Sequence, residues 1–150
     1  DNGVEVVDSW STAYYERFSG SAGSQGDRPL VVSYGSSPPA EVVFADPPRD
    51  DAPTGVAAET CFRQIEYTGV LRGTPHTAEA RQLVEFLVGE RFQRELPLSL
   101  FVNPVDPKTS LPDAFVKYGV VPASPFTMEP ATIAKNRSAW QDQWHQIVVA

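Results

Sequence analysis

A single cysteine, Cys61, is all the thiol chemistry the chain has, so neither an internal disulfide nor a cysteine-based structural zinc site can form. Histidine is nearly as scarce: His76 and His145 are the two present, and neither has a second metal-ligating residue at a useful spacing. Apolar runs are short, none approaching the roughly 18–20 residues that cross a bilayer. No basic segment followed by an apolar one opens the chain as an export signal would. The start Asp1-Asn2-Gly3 is not one a nascent chain is expected to have, and the expectation is a chain that begins partway through a protein. Basic residues are in deficit, with 12 Lys and Arg against 19 Asp and Glu for a net charge of −7. Without a basic cluster, nucleic acid and anionic membrane are excluded as main partners.

Catalytic motifs are missing too. Hydrolysis needs a nucleophile held against an oriented base. The only serine-rich turn of interest, "YGSSP", is not the G-x-S-x-G elbow, and neither histidine has an evident serine or cysteine partner. No phosphate-cradling P-loop and no dinucleotide glycine pattern occurs. The residues point away from an enzyme and require no cofactor and no metal.

What the chain does have is the composition of a folded domain. Of its 150 residues 41% are hydrophobic and 21% charged, enough for one domain with a core. Short β-type runs at residues 4–7, 30–33 and 61–71 alternate with helical patterns, which gives the α/β class. Asp8 or Ser9 is placed to cap a helix running to about Phe18, with Trp10, Ala13, Tyr14 and Phe18 at helical spacing. Residues 19–27 form a flexible surface loop by composition, and 45–55 an exposed acidic turn. Pro38 is suited to start a short helix carrying Val42 and Val43. In 61–71 the side chains of Phe62, Gln64, Glu66 and Thr68 would face one way, those of Ile65 and Tyr67 the other.

The strongest helix follows, with Thr77 as its N-cap and Ala80, Leu83, Val84, Leu87 and Val88 as one apolar stripe. Gly89 is its stop, ahead of a short helix over 90–95. Residues 97–112 read as irregular, 111–118 as another short helix. A final amphipathic helix opens at Thr127 or Glu129, and the stripe Ile133, Trp140, Trp144, Ile147 and Val148 marks both tryptophans as packing residues.

Three stretches in order, "DSWSTAYYERF", "LVVSYGSSPPAE" and "CFRQIEYTGVLRGT", resemble the thiamine-binding subgroup in the iron/thiamine branch of bacterial solute-binding proteins. "HTAEARQLVEFLVGERFQREL" is similar to a helix found widely in such receptors, and "AKNRSAWQDQWHQIV" resembles the subgroup's last helix. The resemblance covers nearly all of the chain. It implies a periplasmic-binding-protein-like type II fold, two α/β lobes joined by crossing strands and closing like a clamp, of which this is the C-terminal half. Residues 1–63 would then be the C-terminal portion of the second lobe, 64–71 the crossing hinge strand, and 72–150 the C-terminal portion of the first lobe. The implied function is the solute-binding component of an ABC importer, holding thiamine or a thiamine phosphate for a membrane permease. The implied location is the periplasm or the cell surface, with a lipid anchor as one form of attachment. The N-terminal half would be supplied by a second chain or a swapped partner, or have been lost by proteolysis.

Thiamine joins a cationic thiazolium to a flat aminopyrimidine. Its recognition calls for aromatic faces and, for the esters, hydroxyls or backbone N–H groups. The resemblance places ligand-contacting aromatics at Trp10, at Tyr34 and at Phe101, the last where the family has tryptophan. Ala40 stands where the family has a further tyrosine, which removes one π face. Ser33, Ser36 and Ser37 are hydroxyl donors by position and chemistry. Each has a bland alternative: Trp10 on an amphipathic helix suits a core as well as a ligand wall, and Phe101 suits packing. Gln64 and Glu66 suit a cleft, a hinge or a core. The rival reading within the branch is a ferric-iron carrier using the adjacent pair Tyr14-Tyr15 as phenolate ligands. Neighbours on a helix diverge by about 100°, which turns one of the two toward the core.

Overall fold

The computed structural model describes residues 3–149, with Val149 by its backbone only; Asp1 and Asn2 of the unusual start lie outside the described residues. In chain order the elements are a π-helix Thr12–Arg17, α1 Ser37–Val43, a 3-10 turn Ala58–Thr60, α2 Thr77–Val88, α3 Glu90–Gln93, α4 Leu96–Ser99, α5 Asp113–Tyr118, α6 Pro130–Trp144 and a terminal π-helix His145–Val149. They fall into two compact units. Unit 1 takes Asp1–Tyr34, Ala57–Arg63 and Pro122–Ala150, and unit 2 takes Gly35–Val56 and Gln64–Val121.

Unit 1 is organised around Tyr14, 3% exposed and the buried large apolar side chain among its described residues. The helical turn carrying it starts at Trp10, where the Ser9 hydroxyl accepts the Thr12 N–H at 3.0 Å, so Ser9 serves as the cap that the sequence offers. The turn widens toward its end, the Phe18 N–H donating five residues back to the Ala13 carbonyl at 3.0 Å. A loop leaves Phe18 and returns at Arg28, where Arg28 donates its N–H to Arg17 and accepts that of Ser19, both at 2.9 Å. The loop is therefore pinned at its base, and Ser21 within it is buried rather than on the surface. Glu5 ties the preceding segment to the same place, accepting from Arg17 Nε at 2.7 Å and Arg28 Nε at 3.2 Å. A second tie joins 57–63 to the approach to α6: Phe126 donates to the Cys61 carbonyl at 2.8 Å and accepts from Arg63 at 2.9 Å, with the Phe62 and Phe126 rings 5.7 Å apart.

Unit 2 closes on Phe115, also 3% exposed. Pro38 and Pro39 sit in the first turn of α1, where a missing N–H costs nothing, and α1 packs on α5. Gly89 ends α2 as expected. The buried amide of Gln93 then does the joining: its Nε2 donates to the Leu87 carbonyl at 2.6 Å and its Oε1 accepts the Val105 N–H at 2.8 Å. Residues 97–99, expected to be irregular, belong to α4, Leu96–Ser99, because Pro97 fits a first helical turn. The N-cap of α2 is His76, and Thr77 is its first helical residue.

The β-type runs carry no ladder among the described residues, where the β-contacts are the isolated bridges Phe18–Arg28 and Phe62–Phe126. A strand needs a partner for its backbone N–H and C=O groups, and an alternating sequence supplies none. The alternation itself persists: Leu30 and Val32 are 85% and 93% exposed, while Val31 and Ser33 are half-buried. Residues 62–71 are exposed throughout. On α2, Ala80, Val84 and Leu87 are half-buried but Leu83 and Val88 are exposed. The tryptophans of α6, expected to pack, are exposed as well, Trp140 at 40% and Trp144 at 55%. An apolar stripe is buried only when another element lies on it, and among the described residues none buries these rings.

Two outcomes follow from this packing. A Cβ on Gly35 would stand 2.5 Å from the Val120 carbonyl oxygen, whereas at Gly55 it would meet nothing within 4 Å. Gly35→Ala should therefore lose about 1–3 kcal/mol in urea denaturation and Gly55→Ala less than about 0.5 kcal/mol. The Glu5 carboxyl is held below the usual carboxylate range, chiefly by the Arg17 hydrogen bond and further by the charges of Arg17 and Arg28, with desolvation opposing. Its contribution is complete above the unfolded carboxylate value and fades as the pH falls through the lowered native value. Denaturation midpoints of wild type and Glu5→Gln should differ at neutral pH and converge in acid.

Candidate functional site: an aromatic corner

The first helical turn carries an aromatic column. Trp10, Tyr14 and Phe18 are spaced by four, so their side chains share one face. Trp10 stacks on Tyr14 at 4.8 Å with the planes 20° apart, and Tyr14 meets Phe18 at 5.5 Å. Tyr15 comes in edge-on to Trp10 at 5.4 Å and 84°. From the segment 30–34, Tyr34 approaches the same indole, 6.4 Å away and tilted by 46°. Beside it Ser33 accepts the Trp10 Nε1–H at 3.0 Å. Two segments 23 residues apart in sequence thus meet at one indole.

The corner is open. Trp10 is 39%, Tyr34 63% and Tyr15 55% exposed, over the buried Tyr14. Of the residues singled out from sequence, the structure brings Trp10, Ser33 and Tyr34 together. Ser36, Ser37 and Phe101 belong to unit 2. Ser36 and Ser37 lie at the start of α1, half-buried. Phe101 packs between Phe44 at 5.3 Å and Phe115 at 6.1 Å, its backbone in the left-handed region at φ 55°, a conformation that few non-glycine residues adopt. Ala40 is half-buried in α1, and Gln64 and Glu66 are exposed.

Sequence reading named Tyr14 and Tyr15 as the pair of the rival iron reading, not as members of the corner with Trp10. Tyr14 is the platform behind Trp10, and Tyr15 forms a rim; the signal was present as aromatics four and five residues after Trp10. As the divergence of helical neighbours required, Tyr14 is buried and Tyr15 exposed, with their rings at 78°. No group of three or more His, Cys, Asp or Glu that could hold a metal ion occurs among the described residues. No described helix is long and apolar enough to cross a membrane.

Electron-rich ring faces set at an angle, with a hydroxyl at their junction, form a surface for a flat, electron-poor or cationic ring. Among the described residues of the corner, the groups brought together are aromatic rings and the Ser33 hydroxyl. Comparison with known proteins points to the same class. The chain is 27% identical over 145 residues to the thiamine-binding periplasmic protein of Escherichia coli (strain K12), covering 97% of this chain and 41% of the relative. It is 28% identical over 146 residues to proteins of the same name in Brucella suis biovar 1 (strain 1330) and Brucella abortus biovar 1 (strain 9-941), covering 94% of this chain and 40% of each relative. The chain thus spans about 40% of the length of these relatives. They are named as binding proteins, not as enzymes. No family model matches the chain, and no solved structure matches it.

If Tyr14 is the platform for the indole, Tyr14→Ala should loosen it. The expected readout is a red-shifted Trp10 fluorescence component and a stability loss of about 3–5 kcal/mol, as for other large buried aromatics cut to alanine; an unchanged spectrum would contradict the stack.

Proposed function

We propose that the chain is part of the solute-binding component of an ABC importer. In this reading two α/β lobes of type II close over thiamine or a thiamine phosphate and present it to a membrane permease from the periplasm or the outer cell surface. Binding is reversible and leaves the solute chemically unchanged. The observation that carries the reading is the exposed corner of Trp10 and Tyr34, built from two separate segments of a chain that is similar along nearly all its length to thiamine-binding periplasmic proteins. A thiazolium has a fixed positive charge, and the faces of Trp and Tyr attract such a charge through their ring quadrupoles.

The division of the fold into residues 1–63, 64–71 and 72–150 belongs to this proposal. So does a further portion of the receptor that would cover the apolar residues now exposed. Leu30 and Val32 in unit 1, and Tyr67 and Leu71 in unit 2, are each more than four-fifths exposed, and large apolar side chains left in water mark an interaction face. Segments of β-type sequence without a ladder fit strands whose neighbours lie in that further portion.

Titration calorimetry of the full-length receptor with thiamine, its monophosphate and Fe³⁺ is the test. Thiamine or its ester should bind, and Trp10→Ala should weaken that binding about five- to thirty-fold, the loss of one cation–π face of about 1–2 kcal/mol. Fe³⁺ should produce no visible charge-transfer band. Binding of neither organic solute would remove the reading.

A further inference from the structure

We infer that Ser33 is a positioning residue for the Trp10 indole, fixing the orientation in which that ring meets a ligand; the inference rests on the proposed function for its ligand. An indole Nε1–H can only donate. Ser33 Oγ, 3.0 Å away, therefore accepts, and it is the oxygen lone pair that the contact uses. Stacking on Tyr14 at 20° sets the tilt of the indole plane. Within the wells its side-chain torsions allow, stacking restrains slippage of the ring only weakly, because a ring quadrupole is broad and apolar contact has no direction. A hydrogen bond at the ring edge is directional and limits that slippage. Besides the edge contact with Tyr15, the indole is then held at its covered face by Tyr14 and at its polar edge by Ser33.

The neighbouring residue gives this a use. Ser33 and Tyr34 are consecutive in a segment whose burial alternates from residue 30 to residue 34, which puts their side chains on opposite sides of the backbone. Ser33 is half-buried and turned to the Trp10 edge, while Tyr34 is 63% exposed. One short segment therefore locks one wall of the corner and supplies the other, setting the 6.4 Å separation and 46° tilt between the rings. Preorganised walls improve affinity by lowering what must be ordered on binding. Ser33 should then matter for every ligand that uses the Trp10 face, with or without a phosphate.

The test compares wild type, Ser33→Ala and Ser33→Thr in the full-length receptor, each titrated calorimetrically with thiamine and with thiamine monophosphate. Positioning predicts that Ser33→Ala weakens both solutes alike, by about two- to ten-fold, the range of one net hydrogen bond. Ser33→Thr, which keeps the hydroxyl, should restore both. In ligand-free protein the Trp10 Nε1–H resonance, assigned by its disappearance in Trp10→Phe, should exchange faster with water in Ser33→Ala than in wild type. A loss confined to the monophosphate would make Ser33 a phosphate donor and overturn the inference, as would unchanged affinities with unchanged exchange. Should wild type bind neither solute, the functional reading fails, and the exchange comparison still decides whether Ser33 holds the indole.

Discussion

An indole on the surface is fixed in place by what lies against one of its faces, and in unit 1 that support is the buried ring of Tyr14. Everything else around the corner supports that contact. Ser9 starts the helical turn that puts Trp10 and Tyr14 four residues apart on one face. Phe18 extends the column below. The pinned loop between Phe18 and Arg28 then returns the chain to where residues 30–34 can reach the indole edge. Removing the platform would leave Trp10 a loosely attached surface ring, and Ser33 and Tyr34 would have nothing to define.

The two units share a style of construction. Among the described residues each has one large buried aromatic, Tyr14 or Phe115, within a set of polar ties. In unit 1 the ties are backbone pairs at Arg28 and Phe126; in unit 2 the principal one is the Gln93 amide, satisfied at both ends. A buried amide with both groups paired gives direction to a core that apolar contact alone would leave loose. Small cores of this kind contribute limited stability, so the large exposed residues around them carry more weight than they would on a larger domain.

The helices were legible in the sequence because their signals are local. Ser9 at a cap, prolines in the first turn of α1 and Gly89 after α2 each act within a few residues. The β-type runs were legible only as patterns, since a ladder depends on a partner segment that no local signal specifies. The alternation survives as half-burial of Val31 and Ser33 against exposure of Leu30 and Val32. The same limit explains Trp140 and Trp144: periodicity identified their common face, but burial depends on what lies against it. At the corner, Trp10 and Tyr34 could be named from motif order. The role of Ser33 could not, because its partner is 23 residues away and its chemistry admits several bonds. For Phe101, packing between Phe44 and Phe115 is the contact observed within its own unit.

The fork at Glu5 has an electrostatic corollary. Arg17 and Arg28 both meet Glu5, and Arg28 also meets Asp27 at 3.6 Å. Two guanidinium groups and two carboxylates sum to zero, so the formal charge of −7 is carried by the rest of the chain. A field of that sign draws positively charged solutes in from a distance and speeds their arrival in dilute buffer, an advantage that added salt removes over about 10 Å of screening length at 0.1 M. For the cationic solute proposed above, approach would depend on this net charge and retention on contact with the rings, so salt would act on the first more than on the second.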